Sequence, residues 1–278
     1  MALLQIKQME KNKGNAIIFP KIDLHINREE IVAIQCNNEV GKQLIMMMIG
    51  EIPLSGGEVL LEGAPLNQCF KSLSNRVGLF LLDDALYDRL TPAEYLSFFK
   101  NLYNADTEID PLLQKVHLAE KGKTKINKLS FSEKKRLQLA RAILHQPDLL
   151  LMEEPDQNID IESKIIMQSV LEEFKGQGKA ILITTTNFES AISMTNTVYR
   201  LNNEGLKKID VVDEEKSTLN PALQEEQSID ASSKIDPELS SKEIASSTSE
   251  EAKDVKVQAE EETPAVHKPL RLEKIPAK

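Results

Sequence analysis

Tryptophan is absent from this 278-residue chain, and aromatic residues make up only 4% of it. There are two cysteines, Cys36 and Cys69, too few for a disulfide framework. The four histidines, His25, His117, His145 and His267, have neither metal-ligand spacing nor a paired nucleophile, so no histidine chemistry is assigned. No apolar run approaches the ~20 residues of a membrane span. The opening stretch MALLQIKQMEKNKG lacks the long apolar core of a secretory signal. Together these absences point to a cytoplasmic chain. The formal charge of -10 argues against a general affinity for nucleic acid or anionic membranes.

That charge is unevenly spread. Residues 213–278 hold 16 acidic and 9 basic side chains and no Phe, Tyr, Trp or Gly. Such a segment cannot bury enough apolar surface to offset the entropy of ordering, and its composition predicts a disordered acidic tail or linker. A flexible chain of those 66 residues would span about 45 Å r.m.s.. The folded part is expected within residues 1–212, where the apolar runs lie.

What is present centres on Leu129 to Asp160. Leu137, Ala140, Ile143 and Leu144 recur at helical spacing, with Lys134, Lys135 and Arg136 assigned to the water-facing side. His145-Gln146-Pro147-Asp148 breaks the helix. Leu149-Leu150-Leu151-Met152 has the character of a strand buried on both faces of a parallel sheet, with Glu153-Glu154-Pro155 at its carboxyl end, where open α/β sheets bind ligands. This order, an LS-led helix ending in LARAIL, an apolar strand, then EEP and NID, resembles the signature helix, Walker B strand and D-loop of ABC-type ATPases. The resemblance covers nearly all of the first 210 or so residues. It implies an α/β P-loop fold with a central, mostly parallel sheet, an antiparallel β edge subdomain and a helical subdomain at about residues 83–143.

The remaining motifs fall in the order this family requires. Glu30–Gln35 is a strand leading into Cys36-Asn37-Asn38-Glu39-Val40-Gly41-Lys42-Gln43, followed by an apolar helix from Leu44. Strand, loop and helix is the context in which backbone N–H groups hold phosphates. The resemblance therefore places ATP against Asn38, Gly41, Lys42, Gln43 and Leu44, with Ser130 and Ser132 as the signature loop. Glu153 becomes the metal candidate and Glu154 the carboxylate that orients water. Several positions depart from the family pattern: Lys13 stands where an aromatic residue stacks on adenine, Cys36 where the first P-loop glycine avoids a Cβ in the turn, Gln43 where a hydroxyl ligates Mg²⁺, Leu82 for the Q-loop glutamine, Phe131 within the signature and Thr186 for the switch histidine. These changes argue against strong Mg²⁺ binding.

Elsewhere, Ala2–Ile6, Ile17–Phe19 and Asp23–Ile26 are expected as three short strands, and Leu54–Gly63 as a turn and hairpin. Thr91, Pro92 and Glu94 are spaced to start a helix with a capping box, and its aromatic residues are expected to pack in the core. Ile161–Phe174 predicts another amphipathic helix, Ala180–Thr184 a buried strand, and Val198–Leu201 with Gly205–Lys208 a closing hairpin.

Two functions stay open. One is a degenerate ABC domain, weakly binding ATP and not hydrolysing it, that acts as a regulatory module. The phrases IVAIQCN and LSFSEKKRLQLARAIL resemble such domains fused ahead of LytTR-type DNA-binding domains in Gram-positive regulators. DNA would then be reached only through a further C-terminal domain, at the point where Leu270, Leu272 and Ile275 bring apolar residues back. The other is the ATP-binding subunit of an ABC exporter, working as a homodimer or heterodimer with another ABC domain and driving a membrane permease.

Overall fold

The computed structural model describes residues 2–14, 16–83 and 86–209. The acidic tail expected over 213–278 lies outside the described residues, as do the last three positions of the expected folded part.

Two strands open the chain, β1 (Ala2–Lys13) and β2 (Ala16–Asn27). Three short strands were expected here, and two long ones are found. Pro20 does not end β2, because it falls where the ladder shifts: Met9 faces Ile22 and Lys11 faces Phe19, so three steps on β2 match two on β1. A bulge is a place where the missing N–H of proline does no harm. A second irregularity near Gln8, which has φ of 48°, is matched across the sheet by Gly57 at φ 80°, where a Cβ would stand 2.2 Å from the Gln8 carbonyl oxygen.

The chain continues through β3 (Ile31–Gln35), α1 (Asn38–Met48), β4 (Gly56–Leu61), β5 (Ala64–Pro65), α2 (Leu66–Leu73) and β6 (Val77–Phe80). Then come α3 (Pro92–Tyr103), α4 (Ile109–Lys115), α5 (Phe131–Ile143) and β7 (Leu149–Glu153). Last are α6 (Ile161–Gly176), β8 (Ala180–Thr185), α7 (Phe188–Met194), β9 (Val198–Asn202) and β10 (Gly205–Ile209). One sheet is antiparallel, in the order β2-β1-β4-β5. The other runs β10-β9-β3-β8-β7-β6, parallel except for the β10 edge.

The period of two along its central strands divides the second sheet between two cores. Leu149, Leu151, Ala180 and Leu182 turn to the side shared by α1 and the antiparallel sheet. Leu150, Met152, Ile181 and Ile183 turn to the side covered by α3, α5 and α6. Covered on both faces, β7 and β8 are buried at every position, which is why they read as continuous apolar runs. Helix α3 begins as its spacing predicts: Thr91 and Glu94 form a reciprocal capping box with Pro92 at the first turn.

Two expectations about side chains are corrected. Lys135 and Arg136 do not face water; they are 2% and 8% exposed. The Arg136 guanidinium donates to the carbonyls of Val116 and His117 at 3.0 and 2.9 Å, closing the carbonyl end of α4, whose last groups have no helical partner. Lys135 donates to the Leu82 carbonyl at 3.2 Å and lies over the Phe80 ring. The aromatic cluster is only partly core: Tyr95 is fully buried, whereas Tyr87, Phe98 and the neighbouring Leu102 are about half exposed.

Candidate functional site

The carboxyl ends of β3, β8 and β7 lie side by side, with β8 in the middle. Their continuations meet there. Cys36 N–H donates to the Thr185 carbonyl at 3.0 Å, and Glu154 N–H donates to the Thr184 carbonyl at 2.9 Å. Gly41 packs so close to β8 that a Cβ would stand 3.0 Å from the Thr184 side chain, so glycine here permits helix and sheet to approach.

The segment after β3 differs from the expected loop. Helix α1 starts at Asn38, so Asn38, Glu39, Val40 and Gly41 are helical and the connection shrinks to Cys36 and Asn37. The Asn37 side chain accepts from Val40 N–H at 2.8 Å, and its carbonyl accepts from Gly41 N–H at 2.9 Å. Those two donors, which a phosphate cradle would point at its ligand, are used within the chain. The physical cause is local. Only Gly41 among residues 36–43 is glycine, Asn37 is a good N-cap, and Glu39 places a negative charge in the first turn while accepting from Gln43 at 2.9 Å. Cys36 fits its turn without obstruction. Its thiol lies against Gly41 and is pushed up to about 12, first by burial and then by the Glu154 charge, so it stays protonated.

Lys42 emerges from α1 and donates to the Asp83 carboxylate at 2.9 Å; this hydrogen bond is the main reason its pKa is raised. Leu44, expected among the ligand-binding residues, is wholly buried in the core instead. Asn38 is exposed on the first turn.

At the end of β7, Glu153 and Glu154 are 2% and 3% exposed. Burial raises both carboxyl pKa values, and hydrogen bonds oppose the rise. Glu153 accepts from Leu82 N–H at 3.1 Å. Glu154, in the left-handed region at φ 44°, accepts from Thr186 N–H at 2.5 Å and from the Thr185 hydroxyl at 3.2 Å. A non-glycine residue held there stores roughly 1 kcal/mol or more of strain, which these bonds offset. The fold therefore brings together Lys42, Glu153, Glu154 and Thr186 around three adjacent strand ends.

The signature residues are engaged differently. Ser130 caps α5 in a reciprocal box with Glu133, at 3.1 and 2.8 Å. Ser132 accepts from Asp160 N–H at 3.0 Å and, with Ser163, holds the Asp160 carboxyl down at about 2. Both hydroxyls expected to face nucleotide are committed to helix starts. Phe131 between them is 51% exposed.

For Mg²⁺ the residues fit poorly. The Gln43 amide donates to Glu39, the buried Glu153 carboxylate already receives a backbone donor, and among the described residues no three His, Cys, Asp or Glu side chains converge on a common point. For phosphate the fit is partial and rests on Lys42 beside the start of α1. Asp83 and Thr185 were not named as site residues from sequence, and Lys135 was assigned to water. Asp83 follows Leu82 directly, so an acid beside that position was the available signal. The burial of Lys135 had none.

A family model described as ABC transporter matches residues 19–157, half of the chain. The chain is 26% identical over 201 residues to Nod factor export ATP-binding protein I of Cupriavidus pinatubonensis, covering 70% of this chain and 62% of that protein. It is 28% identical over 187 residues to the uncharacterized ABC transporter ATP-binding protein YdbJ of Bacillus subtilis, covering 66% of this chain and 61% of that protein. The chain thus spans less than two thirds of the length of these curated relatives. Its fold matches that of cbiO1 from Clostridium perfringens, part of the ABC transporter complex cbiONQ, at a TM-score of 0.67 and 21% identity over 81% of this chain and 96% of that one. A solved ATP-binding subunit of an ABC transporter gives the same TM-score at 20% identity, over 80% of this chain and 97% of that one. The fold and the matched sequence agree: this chain belongs to the ABC transporter family.

Proposed function

We propose that the chain is an ATP-binding subunit of a transporter-type assembly that binds ATP weakly and turns it over slowly. The relatives named as ATP-binding proteins of export systems support the subunit role, and a membrane permease at the cytoplasmic face is the partner that role requires. The half-exposed apolar side chains Tyr87, Phe98 and Leu102 near α3 offer a face for it. The single observation that carries weak binding is the helical turn over Asn38–Gly41, which uses the Val40 and Gly41 donors internally. ATP entering here meets Lys42 and the α1 terminus, with neither an aromatic platform at Lys13 nor a hydroxyl at position 43.

At the other end of the site, Glu154 is held by Thr185 and Thr186 in a buried position from which it could orient a water. Phosphoryl transfer depends on several positioned groups acting together, and removing one commonly costs about 10²–10³ in rate. With Thr186 and Phe131 replacing the family's groups around the γ-phosphate, Glu154 has little to work with. A regulatory module that senses ATP without hydrolysing it is the second reading, favoured by the same helical turn. Calorimetric titration of the full chain with ATP tests the binding step: weak binding that changes little with Mg²⁺ is expected, and tight binding that requires Mg²⁺ would overturn it.

A further inference from the structure

The Lys42 ammonium, the cation that α1 offers to a phosphate, already has an anion. Asp83 lies 2.9 Å from it, and the pair is exposed, 44% and 74% by side chain, so a solvent-borne anion can compete for the lysine. Asp83 is aimed by its neighbour rather than by its own packing. The Leu82 N–H donates to the Glu153 carboxylate at 3.1 Å, and the Leu82 carbonyl accepts from the buried Lys135 ammonium at 3.2 Å. Both polar groups of the preceding residue are thus anchored, one to the end of β7 and one to α5. Glu39 and Glu153 add two further negative charges within electrostatic reach of Lys42.

We propose that Asp83 is an autoinhibitory counter-ion: without nucleotide its carboxylate occupies the place of a phosphate on Lys42, and ATP binds only by displacing it. The inference rests on the ATP-binding reading above and adds the regulation of that site. Because Leu82 is tied to Lys135 on α5, a shift of α5 that breaks this bond also frees Asp83. Nucleotide affinity is thereby linked to the position of the helix that carries Ser130 and Phe131.

The test is a calorimetric titration of the full chain with metal-free ATP, comparing wild type, Asp83→Asn, Lys42→Ala, the double variant, and Glu120→Gln as a control that removes an exposed charge elsewhere. Asp83→Asn should tighten binding about three- to tenfold, the scale of releasing an exposed ion pair and removing one repulsive charge. The part owed to the ion pair should be lost when Lys42 is already Ala, leaving a clearly smaller gain, and Glu120→Gln should give none. Unchanged or weaker binding in Asp83→Asn overturns the inference, as does an equal gain in the Lys42→Ala background or in Glu120→Gln. If no variant binds ATP while far-ultraviolet circular dichroism shows all of them folded, the nucleotide-binding reading fails and takes this inference with it. Binding by wild type that Asp83→Asn leaves unaltered defeats the inference alone.

Discussion

Helices α1 and α5 begin alike and then diverge. Each starts with a polar cap, Asn37 or Ser130, whose side chain accepts a backbone N–H, and each has a glutamate in its first turn. One turn further on, α1 presents Lys42 to solvent beside another exposed charge, whereas α5 buries Lys135 and Arg136 against backbone carbonyls. The lesson is that a cation's role here follows from what it desolvates. A surface pair contributes about 0–1 kcal/mol and can exchange its anion. A buried cation that satisfies carbonyls is part of the frame and cannot be spared.

The largest expected effect tests the framing half of that contrast. Arg136→Met should lower the unfolding free energy by about 2–3 kcal/mol, since the Val116 and His117 carbonyls lose a charged donor in a buried place. Lys42→Ala should stay within about 0.5 kcal/mol. Equal losses in urea denaturation would erase the distinction between the two helices.

A second effect concerns pH and falls on the α5 side alone. His145, just beyond α5, is stacked on Tyr103, and its Nε2 lies 3.2 Å from the Val77 carbonyl. Burial, the dominant cause, pushes its pKa from 6.5 down to about 4. Between those values the unfolded chain holds a proton that the folded chain does not. The contribution is therefore complete above pH 6.5 and lost as pH falls toward 4, roughly 3 kcal/mol in all. Stability measured at pH 7 and pH 4.5 should show this loss, and His145→Phe should flatten it. An unchanged slope in that variant would remove His145 from the account.

A smaller effect tests the ligand-facing half. Glu39→Gly with Gln43→Ser should weaken the first turn of α1 by about 1 kcal/mol through lost helix propensity and dipole stabilisation, and restore a hydroxyl where the metal is expected. ATP affinity should rise about tenfold and become Mg²⁺-dependent, as read by calorimetry. No gain would mean that the helical turn over Asn38–Gly41 is not what limits binding.

Most of the architecture was legible because it rests on periodicity and punctuation. The continuous apolar runs of β7 and β8 reflect burial on both faces, and Thr91-Pro92-Ala93-Glu94 announces α3 through its own hydrogen bonds. The two long strands at the start were not legible, since Pro20 breaks a propensity pattern but not a ladder that bulges around it. The site was half legible. Glu153 and Glu154 stand at a strand end whatever surrounds them. The fate of residues 36–43 depended on a competition between phosphate-cradling loop and capped helix, which the loss of glycines decided and motif spacing did not reveal. Lys135 lay beyond reach for another reason: helical spacing assigns a lysine to water, whereas the Leu82 carbonyl and the Phe80 ring across the fold take up its ammonium.

On the proposed function, the site has kept its strand-end carboxylates but not the loop that would present ATP to them. The most direct measurement is steady-state ATP turnover by the full chain with Mg²⁺, compared between wild type and Glu154→Gln. Rates near background that differ by less than about twofold between the two are expected if, as proposed, Glu154 lacks positioned partners around the γ-phosphate. Robust hydrolysis by wild type, abolished by Glu154→Gln, would contradict that proposal and make the chain a working motor subunit.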